Sequence, residues 1–216
     1  MTYDMARATV YDFPYSSSSY RLRIALSLKG VAPASIETVN LRTGDHLAAA
    51  FVKRVGASVV PAVDFGDMSY TQSLALIEWL DAVYPQPALI PADPSDALKV
   101  RSAALTVACD IHPLNVPRVL KYLADPAGLS EEERRGWYRH WVREGFAVLE
   151  RQLVREQTRG AFCVGNRPTL ADICLVPQVL NARRFGVDVE DFKRIGEIYD
   201  RCLQDAAFQN AAPPSD

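Results

Sequence analysis

The stretch Tyr15-Ser-Ser-Ser-Ser-Tyr-Arg-Leu-Arg-Ile-Ala-Leu26 marks the junction between a predicted strand and a predicted helix. Residues 8–13 form the strand, and residues 18–30 form the helix, because apolar residues recur at helical spacing up to Gly30, a typical helix stop. The first N–H groups of a helix lack intrahelical acceptors and carry partial positive charge. The hydroxyls at this junction can therefore cap the helix or donate to an anion such as a thiolate.

Further strands and helices follow this junction as far as residue 84. Strands are predicted over Ser35–Asn40, Val59–Phe65 and Met68–Tyr70, and helices over about Asp45–Lys53 and Gln72–Tyr84. Gly66-Asp67 is a hairpin signal. The resulting order, βαβαββα, predicts a small α/β domain over residues 1–84.

Prolines then interrupt the chain at positions 85, 87, 91 and 94, which predicts a linker over residues 85–94. Helical patterns follow over roughly Asp96–Leu123, Ser130–Gln157, Thr169–Ala182 and Glu190–Ala206. Two of these helices begin with the spacing of a capping box, Ser130 with Glu133 and Thr169 with Asp172. We predict an all-helical second domain over residues 95–216, and the fold class is α+β.

Composition excludes several function classes. The chain has 216 residues, of which 49% are hydrophobic, so it can bury a substantial core. A formal net charge of -2 provides no global attraction for nucleic acid or an acidic membrane surface. There is no signal-peptide pattern over residues 1–10 and no apolar run of membrane length, so we expect a cytoplasmic protein without a membrane partner.

Cysteine and histidine positions do not form a metal-binding pattern. The cysteines lie in apolar segments without a C-x-x-C pair, and we expect them to be buried reduced thiols: Cys109, Cys163, Cys174 and Cys202. The histidines form no H-E-x-x-H motif. No metal site is predicted.

Two dipeptides beyond the serine run are candidate ligand contacts. If Pro61 is cis, Val60 can offer its backbone N–H and C=O to a ligand instead of a neighbouring strand. Gln72-Ser73 lies at a second helix N-terminus, where the Gln72 amide and the Ser73 hydroxyl and N–H can hold a carboxylate.

These motifs resemble those of the cytosolic glutathione transferases, in particular the zeta class, which includes the maleylacetoacetate and maleylpyruvate isomerases. The zeta signature S-S-C-x-[WH]-R-V-R-I-A-L corresponds to residues 16–26, and further matches lie at residues 72–80, 109–115 and 171–179. The resemblance covers about residues 8–211. It implies a thioredoxin-like N-terminal domain, an all-α C-terminal domain, a homodimer and glutathione as cofactor.

The resemblance assigns the serine run to thiol activation. The catalytic serine of the zeta motif corresponds to Ser16 or Ser17, and its cysteine corresponds to Ser18. The maleylpyruvate isomerases have threonine at that last position, so a hydroxyl is compatible with activity. We therefore favour Ser18 as the donor to the glutathione thiolate, with Ser16 as its neighbour.

Other positions are assigned to glutathione by the same resemblance. Val60, next to Pro61, would pair with the cysteinyl backbone, and Gln72 with Ser73 would hold the γ-glutamyl carboxylate. His112 would lie near the glycyl end or the sulfur.

Substrate binding is where this chain departs from the family pattern. Arg118 matches an arginine that binds substrate carboxylates in the maleylpyruvate isomerases, and Arg183 or Arg184 lies near another. That group also has an arginine immediately before the first motif serine, where this chain has Tyr15. Either Tyr15 binds a different acceptor or the remaining arginines suffice.

The implied reaction is a glutathione-dependent cis–trans isomerisation of maleylpyruvate or maleylacetoacetate. Two alternatives remain open at this point: a general transferase or dehalogenase that conjugates glutathione to small electrophiles, and a non-catalytic glutathione-binding protein.

Overall fold

The computed structural model describes residues 3–155 and 160–214, and the chain divides into two compact units. The first unit comprises Met1–Leu89 together with Asp205–Asp216. The second unit comprises Ile90–Gln204.

The first unit confirms the predicted βαβαββα order. Its elements are β1 (Thr9–Asp12), α1 (Ser17–Lys29), β2 (Ser35–Thr38), α2 (Ala49–Val55), β3 (Ala62–Asp64), β4 (Ser69–Thr71) and α3 (Ser73–Val83). The sheet order is β2-β1-β3-β4, with β1 parallel to β2 and antiparallel to β3, and β4 antiparallel to β3. In this thioredoxin-like unit α1 packs on α3, α3 contacts β4, and both helices bury apolar residues.

Two predicted boundaries in this unit are wrong. The strand predicted from Val59 begins only at Ala62, because Pro61 has no N–H to donate to a ladder. The helix predicted over Asp45–Lys53 is a short 3₁₀ turn, Asp45–Leu47, followed by α2.

The second unit is helical, as predicted. It contains α4 (Pro94–Leu105), α5 (Pro117–Ala124), α6 (Glu131–Arg155), α7 (Leu170–Arg184) and α8 (Lys193–Cys202). The Ser130 hydroxyl and N–H both donate to Glu133, and those of Thr169 both donate to Asp172. These contacts confirm both predicted helix starts. Residues 156 and 157, at the end of one predicted helix, lie outside the described residues.

The single helix predicted over Asp96–Leu123 is wrong. After α4 the chain forms a π-helical segment, Thr106–Ile111, and a 3₁₀ turn, His112–Asn115, before α5 begins at Pro117. Pro113 and Pro117 cannot donate helical hydrogen bonds, and each proline instead lies at the first or second position of a new helical element.

The C-terminal segment differs from the predicted domain boundary. The helix expected over Glu190–Ala206 is α8 alone, and a further short helix, α9 (Ala206–Asn210), belongs to the first unit. The Tyr20 hydroxyl donates to the Phe208 C=O at 3.0 Å, which ties α9 to α1. Contacts between residues so far apart in the chain produce no local sequence pattern, so the sequence did not predict that α9 joins the first unit.

Cysteine burial follows the prediction with one exception. Cys163, Cys174 and Cys202 are buried, whereas Cys109 in the π-helical segment is exposed, and all four are free thiols. Burial raises the pKa of the Cys163 thiol well above its usual range, and the nearby Asp172 carboxylate raises it further.

Within residues 3–155 and 160–214, no helix is both long enough and apolar enough to cross a bilayer.

The π-helical segment packs closely on α6 at Gly145. A Cβ atom at Gly145 would lie 2.1 Å from Ile111 Cγ1, and Ile111 is completely buried. The following turn is also held, because the Trp137 Nε1–H donates to the Leu114 C=O at 2.8 Å. Glycine is therefore required for this helix approach.

We predict that Gly145→Ala lowers the free energy of unfolding by about 1–3 kcal/mol, because the added methyl group must displace the Ile111 side chain. Gly136→Ala is the matched control in the same helix, since a Cβ there meets no atom within 4 Å. The control should be neutral or stabilising by up to about 1 kcal/mol. Urea unfolding of both variants measures the difference, and equal stabilities would contradict the prediction.

Candidate functional site

The serine run forms the N-terminus of α1. Ser16 is the N-cap residue, and its Oγ accepts the Ser19 N–H at 3.2 Å. Ser17 and Ser18 are the first helical residues, and their backbone N–H groups have no acceptor within the described part of the chain. This end of the helix therefore presents free donors and partial positive charge.

A chain of hydroxyls connects this helix end to the segment before β3. Ser18 Oγ donates to the Val60 C=O at 3.0 Å, and Ser16 Oγ lies 3.1 Å from Ser18 Oγ. A serine hydroxyl has one proton, so Ser16 must be the donor to Ser18. The Ser17 hydroxyl is half-buried and has no hydrogen-bond partner among residues 3–155 and 160–214. The structure thus brings together Ser16, Ser18 and Val60.

Val60 lies outside the β-ladder, the arrangement expected for a cis Pro61, although the strand predicted from Val59 includes it. The Val60–Pro61 peptide bond is cis, and the pairing of β1 with β3 begins at Ala62. The Val60 side chain packs with Phe13 and Val39, and its backbone carbonyl faces Ser18.

Gln72 and Ser73 form the start of α3. Gln72 has φ 72° and ψ 102°. Among residues 3–155 and 160–214 it is the only residue other than glycine with a positive φ. Ser73 is buried, whereas the Gln72 side chain is exposed and makes no capping hydrogen bond. Strained backbone of this kind is concentrated at ligand-binding positions.

The sheet register brings these segments to one edge. Tyr11 is paired with Ala62, and Ala62 is paired with Thr71. In antiparallel pairs, the chain leaving one strand and the chain entering its partner lie at the same end. The turn after β1, the Val60-Pro61 pair and the Gln72-Ser73 pair therefore share the same edge of the sheet.

Arg23 fixes the turn between β1 and α1. Its Nη1 donates to both carboxylate oxygens of Asp12, at 2.7 and 3.0 Å, and its Nη2 donates to the Pro14 C=O at 2.8 Å. Its Nε donates to the Ala211 C=O at 2.9 Å. In the sequence Arg23 is only one residue of the helix motif, and this role leaves no signal there, because none of its acceptors is a helical neighbour.

A cation that was not predicted lies beside the serines. The Arg42 guanidinium carbon is 4.6 Å from the centre of the Tyr15 ring, and Tyr15 immediately precedes Ser16. The Tyr15 ring is half-buried and makes an edge contact with Phe13, with 5.7 Å between ring centres. No sequence pattern indicates that a single loop arginine such as Arg42 stacks on Tyr15.

The remaining predicted residues lie in the second unit. His112 is half-buried at the start of the 3₁₀ turn, Arg118 is exposed in the first turn of α5, and Arg183 and Arg184 are exposed at the end of α7. The structure therefore brings Arg183 and Arg184 together on one helix end and places Arg118 on another helix.

Arg183 has an aromatic partner within its own unit. Its guanidinium carbon lies 4.5 Å from the centre of the Tyr199 ring. Burial raises the pKa of the Tyr199 hydroxyl, and the positive charge of Arg183 partly offsets that increase.

Comparisons with known proteins agree with this geometry. Residues 10–88 match the family model for the glutathione S-transferase N-terminal domain. The chain is 44% identical to a maleylpyruvate isomerase from Ralstonia sp over 204 residues, which cover 94% of this chain and 96% of that protein.

Solved structures extend the similarity to the whole fold. The chain is similar to the holo structure of a maleylpyruvate isomerase, a bacterial zeta-class glutathione S-transferase, with a TM-score of 0.92, 43% identity and coverage of 95% and 96%. It is also similar to the maleylacetoacetate isomerase of Methylobacterium extorquens AM1 with bound malonate and glutathione, with a TM-score of 0.91, 33% identity and the same coverage.

We predict that Arg23→Met lowers the free energy of unfolding by about 3–5 kcal/mol, because it leaves the largely buried Asp12 carboxylate without its cation. Arg7→Met, at an exposed arginine of the same unit, should change stability by less than about 0.5 kcal/mol. Chemical denaturation of both variants checks this expectation. A similar small effect for the two substitutions would show that Arg23 does not hold the turn.

Proposed function

The chain belongs to the zeta class of the glutathione S-transferase family, and we propose that it is a glutathione-dependent cis–trans isomerase of a maleyl-type keto dicarboxylate, either maleylpyruvate or maleylacetoacetate. The observation that carries this proposal is the hydroxyl chain from Ser16 through Ser18 to the Val60 C=O at the N-terminus of α1. It provides both a donor for a thiolate and an acceptor for a peptide N–H.

Glutathione binding would rearrange this chain of hydrogen bonds. The cysteinyl N–H of glutathione would donate to the Val60 C=O in place of the Ser18 hydroxyl. The Ser18 proton would then be available to the glutathione sulfur, next to the free N–H groups of Ser17 and Ser18. A hydrogen bond to the charged form and the positive end of the helix both lower the pKa of a thiol.

The other predicted glutathione contacts complete the proposal. Gln72 and Ser73 would hold the γ-glutamyl carboxylate at the N-terminus of α3, where Ser73 is buried and the Gln72 backbone is strained. His112 remains a predicted contact of the glycyl end or the sulfur.

The chemistry requires only the glutathione thiolate and the substrate. The sulfur adds to one carbon of the conjugated cis double bond, and the electron pair moves onto the keto oxygen as an enolate. The former double bond is now a single bond and rotates. The enolate then re-forms the ketone, the carbon–sulfur bond breaks, and the trans alkene and the thiolate are released. The protein must ionise the thiol, orient the acid and stabilise the enolate.

Substrate carboxylates would be held by cations of the second unit. We propose Arg118 and Arg183 or Arg184 for this role, since all are exposed arginines and a guanidinium matches a carboxylate with two hydrogen bonds. A cytoplasmic location and a homodimer are also proposed, on the basis of the family.

We predict that Ser18→Ala raises the pKa of bound glutathione by roughly one to two pH units, because a hydrogen bond to a charged group contributes about 1.5–3 kcal/mol. The thiolate fraction at neutral pH falls accordingly, so the pH profile of kcat/KM moves to higher pH. Titration of the ultraviolet absorbance of the bound thiolate measures the change directly. Ser18→Thr should retain the wild-type value, and Ser17→Ala is the matched control. A larger change in Ser17→Ala than in Ser18→Ala would assign the thiolate to Ser17.

The function itself is tested by glutathione-dependent loss of maleylpyruvate and of maleylacetoacetate. We expect turnover of at least one of them, with no net consumption of glutathione, because the last step regenerates the thiolate. Conjugation of a small electrophile or release of halide from an α-halo acid would be slower. Tight glutathione binding without a thiolate signal and without turnover would instead identify a non-catalytic glutathione-binding protein.

A further inference from the structure

The side chains of Tyr15 and Arg42 form a stacked pair beside the serine cluster. The Arg42 guanidinium carbon lies 4.6 Å from the centre of the Tyr15 ring. The ring is held in turn by the edge contact with Phe13 and by packing against the cluster of Phe13, Val39 and Val60. Val60 also accepts the Ser18 hydroxyl, so the platform under Arg42 is continuous with the proposed thiol site.

Arg42 has no acidic partner in the described part of the chain, although an acid lies only three residues away. Both carboxylate oxygens of Asp45 are engaged, one by the Asn40 N–H at 3.1 Å and the other by the Thr43 hydroxyl at 2.8 Å. The Arg42 N–H donates to Asn40 Oδ1 at 2.9 Å, which orders the loop that carries it. The loop therefore presents an exposed, uncompensated cation on a fixed ring.

Stacking on the Tyr15 ring holds the Arg42 guanidinium in place without occupying its hydrogen-bond donors. An arginine over an aromatic ring uses the face of its guanidinium, whereas its N–H donors point outward in the plane of the group. Those donors match the two oxygens of a carboxylate. An ion pair with Asp45 would have occupied the same donors.

We propose that Arg42 binds a carboxylate of the substrate and that Tyr15 is the positioning residue that supports it. The inference rests on the proposed function for the identity of the substrate, a dicarboxylate. The proposal also explains the Tyr15 position, where the maleylpyruvate isomerases have an arginine and this chain has none. Arg42, from a neighbouring loop, would supply the positive charge in its place.

The test compares wild-type protein with Arg42→Ala in two independent assays. Isothermal titration calorimetry of the glutathione-loaded protein with malonate measures dicarboxylate binding without turnover. Steady-state kinetics measures KM for maleylpyruvate. We expect the Kd of malonate and the KM of maleylpyruvate each to rise roughly ten- to hundred-fold, as expected for a lost charge-assisted pair. The Kd of glutathione should stay within about twofold of the wild-type value.

Substitutions at Tyr15 test the supporting role. Tyr15→Phe keeps the ring and should leave malonate binding unchanged, whereas Tyr15→Leu should weaken it. In the Arg42→Ala background, Tyr15→Leu should have no further effect on malonate binding, because the group that it positions is already absent. Arg143→Ala is a matched control, since Arg143 is an exposed arginine stacked over a ring, that of Phe192, but is paired with Asp191.

Unchanged malonate and maleylpyruvate values in Arg42→Ala would overturn the proposal. A rise in the Kd of glutathione by the same factor would also overturn it, by assigning Arg42 to the glycyl carboxylate of glutathione. The proposed function fails separately: wild-type protein that binds malonate but does not turn over maleylpyruvate or maleylacetoacetate would not be an isomerase, and the malonate comparison would still decide the role of Arg42.

Discussion

The Arg23 guanidinium makes hydrogen bonds to three segments of the first unit: the end of β1 at Asp12, the turn at Pro14, and the C-terminal segment at Ala211. A flexible side chain in this position would leave the turn free to vary, whereas a planar group with several fixed donors permits few arrangements. The turn sets where α1 begins, and α1 sets where the serine hydroxyls lie. The geometry of the proposed thiol site therefore depends on a residue that contributes nothing to its surface.

The register of the sheet positions the other proposed ligand contacts, Val60 and Gln72. Val60 precedes β3, and Gln72 follows β4, and the antiparallel pairing of these strands places both at the edge where β1 ends. Each of the two contacts departs from regular structure. Val60 leaves the ladder, and Gln72 adopts positive φ. Local irregularity on a rigid sheet is the usual means of exposing backbone groups to a ligand.

Electrostatics at this edge is local, as the net charge of -2 requires. Partial positive charge comes from the N-termini of α1 and α3, and a full charge comes from Arg42 on the Tyr15 ring. Asp45, the acid closest to Arg42 in sequence, is already engaged by its own loop, so the positive charge is not cancelled there. An anionic tripeptide and a dicarboxylate are both suited to such a surface.

Sequence alone determined the βαβαββα order, the helical second unit, both capping boxes and the family, because these follow from short-range periodicity, capping residues and contiguous motifs. It also identified Ser16, Ser18 and Val60, which the structure brings into contact. Only the tertiary structure decided that Ser18 donates to the Val60 C=O, that Arg23 links β1 and its turn to the C-terminal segment, and that α9 belongs to the first unit. It also decided that Ile111 packs closely on Gly145 and that Arg42 stacks on Tyr15. Those contacts join residues far apart in the chain, and their partners are set by packing and sheet register, which no local pattern of residue types encodes.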